Sequence, residues 1–262
     1  MGNTRVICFC NNKGGSGKTT TCGNLGYCLS QTGKKVLMID GDMQMNLSLS
    51  FFNEEEVLAY SSSDKNLFTF MNGSRELSEC IVSTNFEGLD LVPSSLNMSR
   101  MESELCQRDA KESELLERLS KIKEEGSYDY ILIDSPPTLG AWVTNLVCAS
   151  DRMIIPVEAS PWGLFGLANM LEFLEQAQKK AEKLKLMGIL ITKVDDRKKY
   201  YKLVMDTIRE IGNVPVFQAK IHVDSTVEWA QDDSRPVCEY KGSSKSAKEY
   251  SEFAKEVEDL WQ

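Results

Sequence analysis

The sequence predicts an α/β fold, a mostly parallel twisted sheet with helices on both faces. Short apolar runs of the kind that form buried parallel strands alternate with amphipathic helical stretches along nearly the whole chain. Acidic residues directly follow two of these runs, at the edge of a parallel sheet where ligands bind. Because this alternation continues without an internal repeat, a linker or a change in composition, we expect a single domain over residues 1–262.

Apolar runs predict seven strands, and apolar residues at helical spacing predict the helices between them. The expected strands lie at residues 6–10, 35–40, 89–93, 130–134, 153–157, 187–191 and 214–217. The expected helices lie at residues 19–30, 97–125, 164–185, 200–211 and 246–260, with only short helices over 51–80 and an apolar helix around Cys148. Pro93 ends the third strand, because proline cannot donate a hydrogen bond to a neighbouring strand.

Residues 11–20, Asn-Asn-Lys-Gly-Gly-Ser-Gly-Lys-Thr-Thr, predict a phosphate-binding loop between the first strand and the first helix. The three glycines let the backbone curl so that its N–H groups face phosphate oxygens, and the helix directs its positive end to the same charge. Lys18 is expected to reach the β- and γ-phosphates, and the Thr19 hydroxyl to bind Mg²⁺. Asn12 stands where the general pattern has glycine, but the flanking strand and helix still favour a P-loop NTPase fold.

Three aspartates follow predicted strands and are candidates for the metal and the attacking water. Asp134 comes after four apolar residues, the Walker B pattern, and is expected to hold Mg²⁺ directly or through a water. Asp40 and Asp42 are two residues apart, so an extended backbone points both side chains the same way. One of them is expected near the metal and the other beside the attacking water. The candidate metal ligands are therefore Thr19 and Asp134, together with either Asp40 or Asp42.

Composition narrows the classes of function. Proteins that bind DNA through its phosphates usually carry a basic face, so the net charge of −9, from 30 basic and 39 acidic residues, argues against DNA binding by the protein surface as a whole. The net charge does not exclude a local basic patch. No apolar run approaches the roughly 20 residues that span a bilayer, and we expect a cytoplasmic protein. The eight cysteines form no C-x-x-C pair and His222 is the single histidine, which favours buried structural thiols over a metal or disulfide framework.

Three segments resemble the motifs of the ParA/MinD family of ATPases. Residues 13–20 resemble the deviant Walker A motif K-G-G-x-G-K-[ST]-T of that family, in which an additional lysine opens the loop. Residues 36–46 are similar to the segment hhhhDxDPQGN, and residues 128–137 to the segment YDxhhhDxPP. Residues 248–257 resemble the closing helix of ParA proteins, so the likeness covers the full chain.

The resemblance implies a Mg²⁺-dependent ATP hydrolase with weak intrinsic activity, which forms a homodimer with two ATP molecules between its subunits. Lys13 is then the lysine that reaches the partner's nucleotide, where a cation supplied in trans offsets charge on the transferring phosphoryl group. Asp42 matches the residue that orients the attacking water, so Asp40, in the same segment, joins Thr19 and Asp134 in the predicted metal site. The residues expected to bind the nucleotide are Lys13, Gly14, Gly15, Ser16, Gly17, Lys18, Thr19, Thr20 and, as candidates for the adenine, Thr192 and Lys193.

The chain departs from the family pattern in two places. Met43 and Met45 replace the family's proline and glycine in the segment after the second strand. Residues 221–226 stand where ParA proteins carry I-P-x-N followed by an arginine, a region linked in the family to adenine contact and DNA binding. His222 replaces the proline, and we expect it to be a structural residue or one at the edge of the pocket.

The resemblance is strongest to short ParA/Soj-type partition ATPases and implies further partners. These are nonspecific DNA in the ATP state and a ParB-like centromere-binding protein, which would make the chain nucleoid-associated. The candidate DNA-binding residues are Arg197, Lys198, Lys199, Lys202, Lys241 and Lys245. The acidic residues 256–262 argue against membrane binding through a basic C-terminal helix. The alternative is a positioning ATPase of the same fold that acts on a protein cargo without binding DNA.

Overall fold

The structure, a computed structural model, describes residues 4–108, 112–212 and 214–261. Eight strands form one sheet in the order β3-β4-β2-β5-β1-β6-β7-β8, and every neighbouring pair is parallel except β3 with β4. The strands are β1 (Arg5–Phe9), β2 (Val36–Asp40), β3 (Val82–Ser83), β4 (Leu89–Val92), β5 (Tyr130–Asp134), β6 (Arg152–Glu158), β7 (Lys185–Val194) and β8 (Val216–His222). The predicted mostly parallel sheet is confirmed.

Helices cover both faces of this sheet. They are α1 (Lys18–Gln31), α2 (Asn46–Leu49), α3 (Glu54–Ser62), α4 (Leu67–Met71), α5 (Leu77–Cys80), α6 (Met101–Cys106), α7 (Glu114–Glu125), α8 (Ala141–Cys148), α9 (Pro161–Gln178), α10 (Tyr200–Ile211), α11 (Ser225–Asp232), α12 (Val237–Tyr240) and α13 (Lys245–Asp259). A 3₁₀ helix precedes α6 at Leu96–Arg100. Within the described ranges, no helix is both long and apolar enough to cross a membrane.

Alternating side chains of the central strands divide the core into two layers. Val6 and Cys8 of β1 pack on the face covered by α7, α8 and α9, whereas Ile7 and Phe9 pack on the face covered by α1 and α13. Because both faces are covered, all residues of β2 and β5 are buried, which explains the continuous apolar runs that predicted them.

Some predicted boundaries differ from the structure. The helix expected at 164–185 ends at Gln178, whose side-chain amide donates to the carbonyl of Leu184, and β7 then begins at Lys185. The stretch 97–125 is divided among the 3₁₀ helix, α6 and α7, and part of it lies outside the described residues. The last strand is longer than the apolar run 214–217, because its polar residues alternate outward along an edge strand of the sheet.

Candidate nucleotide site

The loop between β1 and α1 has the backbone that a phosphate cradle requires. Gly15 and Gly17 have φ angles of +72° and +92°, in the left-handed region that side chains other than glycine rarely adopt. Gly17 precedes the first turn of α1 and supplies no side-chain cap to it. The N–H groups at this helix start are therefore available to an anion.

A cavity of about 660 Å³ opens beside this loop. One wall consists of the loop itself, including Lys18, Thr19 and Thr20. Thr192 and Lys193, predicted as adenine candidates, also lie at the cavity. The Thr192 hydroxyl donates to the carbonyl of Ser16 at 2.8 Å, so this buried side chain holds the loop in place. Lys193 has a φ of 51°, and its Nζ lies 3.6 Å from where a Cβ on Gly15 would stand.

A second wall of the cavity comes from residues that were not named as site residues in the sequence. It is formed by Ile221, His222, Val223, Asp224, Val227, Glu228, Gln231 and Tyr250. They belong to the end of β8, the residues after it, α11 and α13. The sequence marked part of this wall only through the position of residues 221–226, which stand where the family has its adenine region.

His222 has the structural position that the sequence predicted for it. Its side chain is buried, with Nδ1 at 2.5 Å from Oε1 of Glu249 and Nε2 at 3.1 Å from Oδ1 of Asp196. Its backbone N–H also donates to Glu249. These contacts join β8 to α13 and to the segment after β7, at the edge of the cavity.

Asp134 and Lys18 are two buried charged groups at the loop. Asp134 is completely buried at the end of β5, and its Oδ2 accepts a hydrogen bond from the Thr19 hydroxyl at 2.7 Å. Its Oδ1 has no hydrogen-bond partner among the described residues. Burial, with a further contribution from Asp40, raises the pKa of Asp134 to about 8. Burial also lowers the pKa of Lys18, whose Nζ donates to the carbonyl of Lys13 at 3.3 Å.

Asp40 and Asp42 have different surroundings although they are two residues apart. Asp40 is completely buried, and its Oδ2 accepts from the backbone N–H and the hydroxyl of Ser48 at 2.8 and 2.7 Å. Its Oδ1 accepts from the N–H of Asp42 at 3.3 Å, and burial raises the pKa of Asp40 to about 7. In this structure Asp40 therefore supports the segment that carries Asp42, and its predicted metal role stays a prediction.

The segment after Asp42 contains a strained methionine. Met45, which replaces a family glycine, has a φ of 57° in the left-handed region, although its side chain is buried in the core on the α1 side of the sheet. A non-glycine residue pays about 1 kcal/mol or more for this backbone conformation. Glycine, which the family pattern has at this position, adopts this conformation without that cost. In this chain the buried apolar side chain of Met45 offsets it.

Lys13 lies outside the cavity that Lys18 lines. Its Nζ is 2.5 Å from Oε2 of Glu158, at the end of β6, and 3.3 Å from the hydroxyl of Ser160. Its backbone N–H donates to the side chain of Asn11, which itself donates to the carbonyl of Pro156. Since β6 neighbours β1, the fold places an acidic partner for Lys13 at the end of the adjacent strand.

The candidate DNA-binding residues form two clusters that the fold brings together. Arg197 and Lys198 pair with Asp195 at 2.9 and 3.8 Å, and Arg197 lowers the pKa of Asp195 to about 2. Lys245 pairs with Asp196 at 3.3 Å, next to the first cluster. Lys199, Lys202 and Lys241 are also exposed.

The chain is similar to known proteins over nearly its whole length. Residues 4–186 match the family described as an AAA domain, AAA_31. The chain is 31% identical to sporulation initiation inhibitor protein Soj of Bacillus subtilis, over 97% of this chain and 98% of that protein. It is 30% identical to chromosome partitioning protein ParA of Caulobacter vibrioides, over 97% of this chain and 93% of that protein.

A solved structure extends the comparison to bound ligands. It is described as cobyrinic acid a,c-diamide synthase from Mycobacterium smegmatis, with a bound ATP analogue and magnesium. Its TM-score is 0.86 at 28% identity, covering 99% of this chain and 96% of that one. With the motifs at residues 13–20 and 128–137 and the geometry above, these matches confirm the predicted family and enzyme class: the chain belongs to the ParA/MinD family of P-loop ATPases and is an ATP hydrolase.

Proposed function

We propose that this chain is a partition ATPase of the ParA type, acting as one domain over residues 1–262. It binds ATP·Mg²⁺, forms a homodimer with two nucleotides between its subunits, and hydrolyses ATP when a ParB-like centromere-binding protein stimulates it. In the ATP state it binds nonspecific DNA, so it resides on the nucleoid in the cytoplasm. The observation that carries the proposal is the position of Lys13, which belongs to the loop but does not line its nucleotide cavity and pairs with Glu158 instead.

The residues around Asp134 fit a bound Mg²⁺. A fully buried carboxylate oxygen that has no partner among the described residues, beside the Thr19 hydroxyl, is costly unless a cation uses it. Carboxylate and hydroxyl oxygens are ligands that Mg²⁺ accepts in nucleotide sites, directly or through water. Thr19 and Asp134 would hold it, and when bound it neutralises charge on the β- and γ-phosphate oxygens.

The chain's own residues then divide the remaining work. Lys18 and the backbone N–H groups of the loop bind the phosphates, and the buried position of Lys18 strengthens its charge interaction with them. Asp42, at the edge of the segment supported by Asp40, orients the attacking water. The wall formed by the end of β8 and α11 encloses the base and ribose end of the nucleotide.

Lys13 completes the site of the other subunit. Its ion pair with Glu158 is partly exposed, with about a quarter of each side chain accessible, so it can exchange for a phosphate oxygen at little cost. A lysine delivered in trans acts as an arginine finger does, by offsetting charge on the transferring phosphoryl group. Hydrolysis then depends on dimerisation, and loss of the γ-phosphate releases the dimer.

The Lys13→Ala variant tests this proposal. We expect ATP affinity within about threefold of the wild type, and a loss of turnover of about 10³-fold together with loss of ATP-dependent dimerisation. Binding is measured with a fluorescent ATP analogue, turnover by phosphate release, and dimerisation by sedimentation. Lys179→Ala, at an exposed position beyond α9, controls for loss of one positive charge. Normal dimerisation and turnover of Lys13→Ala would refute the trans role.

The alternative, a positioning ATPase that acts on a protein cargo without DNA, is favoured by the pairing of the basic residues. Arg197, Lys198 and Lys245 each contact an aspartate, which reduces the charge available to DNA phosphates. The two proposals differ in retention on nonspecific duplex DNA across a salt series, with ATP compared with ADP. Phosphate contacts predict retention with ATP alone and a steep loss as salt rises. Absence of retention at low salt with ATP would favour the protein-cargo alternative and leave the ATPase assignment intact.

A further inference from the structure

A second cavity, of about 290 Å³, lies at the opposite edge of the sheet from the nucleotide site. Arg5 and Arg152 are the first residues of β1 and β6, so they mark the amino ends of two parallel strands whose carboxyl ends face the nucleotide. We name this cavity the cationic pocket. Its lining includes Arg5, Lys123, Asp151, Arg152, Lys183 and Trp261.

The charge of the cationic pocket is unusual for a chain with a net charge of −9. Four of its residues are cations, and its single acid, Asp151, is already engaged. One oxygen of Asp151 accepts from the N–H of Val6 at 2.8 Å, and the other lies 3.4 Å from Nζ of Lys123.

Two further acids near the pocket have other partners. Asp129 and Glu258 both act on the adjacent Tyr130 hydroxyl through their charge. Asp129 accepts from the N–H of Lys35, and Glu258 lies 3.9 Å from Nζ of Lys34. An excess of positive charge therefore remains in the pocket.

The two arginines are held by aromatic rings. The Arg5 guanidinium lies 5.4 Å from the ring centre of Tyr130 and 5.6 Å from that of Trp261, and it donates to the Tyr130 hydroxyl at 2.6 Å. The Arg152 guanidinium lies 5.1 Å from the Trp261 ring centre and donates to the carbonyl of Asp151. In the part of the chain that the structure describes, neither arginine pairs with a carboxylate. Most of their N–H donors therefore have no partner within the described ranges, while the side chains are already oriented.

We propose that the cationic pocket binds a phosphate-bearing anion of about the size of pyrophosphate. Oriented guanidinium groups donate to several oxygens of one phosphate at once, and the two lysines add point charges that a singly charged carboxylate would not use fully. The volume admits a small oligophosphate, and the phosphates of a nucleic acid backbone offer the same chemistry at the pocket mouth. This site is separate from the nucleotide cavity and requires no nucleotide.

Pyrophosphate titration of the full-length chain tests the proposal by calorimetry. The Lys18→Ala background removes competition from the loop, and low salt, about 50 mM, limits screening. We expect one binding event, weakened at least tenfold by Arg152→Gln and about threefold by Lys183→Gln. Lys183 is exposed and has no partner among the described residues, so its variant reports on charge without disturbing the fold. Lys185→Gln is the matched control, because Lys185 is exposed and lies two residues from Lys183 but does not line the pocket. This variant should bind pyrophosphate as the parent does.

Each outcome decides the proposal. If the parent binds no pyrophosphate, or if Arg152→Gln and Lys183→Gln bind it as tightly as Lys185→Gln, the cationic pocket is not an anion site. A short DNA duplex added to the pyrophosphate complex identifies the source of the phosphate. If the duplex displaces pyrophosphate from the parent but not from Arg152→Gln, the result supports the site with backbone phosphates as its ligand. Binding of pyrophosphate without such displacement supports a free oligophosphate.

Discussion

The two lysines of the loop, only five residues apart, lie in opposite environments. Lys18 is buried beside Asp134 and lines the nucleotide cavity. Lys13 is partly exposed and pairs with Glu158 at the end of β6. The loop therefore has an inner side, where Lys18 lines the cavity for the subunit's own nucleotide, and an outer side, where the cation of Lys13 is available to another molecule. We call these the Lys18 side and the Lys13 side.

The largest expected effect is on the Lys18 side. Lys18→Ala removes the buried cation that contacts the phosphates, and we expect ATP affinity to fall by about 100-fold or more, since buried charge-assisted bonds are worth several kcal/mol. Lys13→Ala should leave the same affinity nearly unchanged. Titration with a fluorescent ATP analogue compares the two, and equal losses of affinity would remove the distinction between the sides.

Asp134→Asn sharpens the description of the Lys18 side. The folded pKa of about 8 lies above the value of about 3.9 for an unfolded aspartate. Asp134 therefore stays protonated in the nucleotide-free fold but ionises in the unfolded chain, so the stability of the fold decreases progressively as pH rises from about 4 to about 8, on the order of a few kcal/mol. Asparagine cannot ionise, so we expect the variant to melt several degrees higher at pH 8 than the wild type, with a smaller difference at pH 5.

The same variant should lose Mg²⁺-dependent hydrolysis, because the amide is a poor replacement for a carboxylate beside Thr19. Thermal melts across this pH range without nucleotide and with a chelator measure the stability effect, and phosphate release with added Mg²⁺ measures the activity. A variant that hydrolyses ATP normally would remove Asp134 from the metal site.

Glu158→Gln tests the Lys13 side. The substitution removes the ion pair that holds Lys13 within its own subunit, so ATP-dependent dimerisation should occur at a lower protein concentration. Because the pair is partly exposed, we expect at most a fivefold change, which corresponds to about 1 kcal/mol. Sedimentation with ATP measures it, and Glu172→Gln on the exposed side of α9 serves as the control. Weaker dimerisation of Glu158→Gln would mean that Glu158 supports the outer position of Lys13.

Met45 allows the smallest and most local test, in the segment that carries Asp42. Met45→Gly and Met45→Ala both remove the buried side chain, but only alanine keeps the strain of a φ of 57°. We expect the glycine variant to be the more stable of the two by about 1 kcal/mol, a melting difference of about 2–4 °C. Greater stability of the alanine variant would show that the segment relaxes out of the left-handed conformation.

The sequence predicted the succession of most strands and helices along the chain, and it predicted the position of the loop between β1 and α1. The helix Tyr200–Ile211 was predicted at its observed bounds, since its apolar residues repeat at helical spacing. The boundary at Gln178 was missed, because the lysine-rich residues that follow suit a helix as well as a turn. The strand Val82–Ser83 was missed because two residues carry no periodic pattern.

The candidate site was predictable on one wall only. Lys18, Thr19 and Asp134 belong to motifs whose spacing reflects phosphate and metal chemistry, so local sequence reveals them. Val227 and Gln231 lie far along the chain from the loop and carry no motif, and their place in the cavity follows from how α11 packs against the sheet. The pairing of Arg197 and Lys245 with aspartates was likewise invisible, since charge runs in a sequence do not show their partners.

By itself, the sequence determined the fold class, the family, the loop and the identity of the acids at the strand ends. These follow from local spacing, because hydrogen-bonding periodicity and anion chemistry act over a few neighbouring residues. Only the tertiary structure decided that Lys18 lines the nucleotide cavity while Lys13 pairs with Glu158, and that four cations converge at the amino ends of β1 and β6. It also decided that Asp40 is bound by Ser48, while one oxygen of Asp134 has no partner among the described residues. Those relations depend on which strands and helices become neighbours, and burial then sets the charge and pKa of each group.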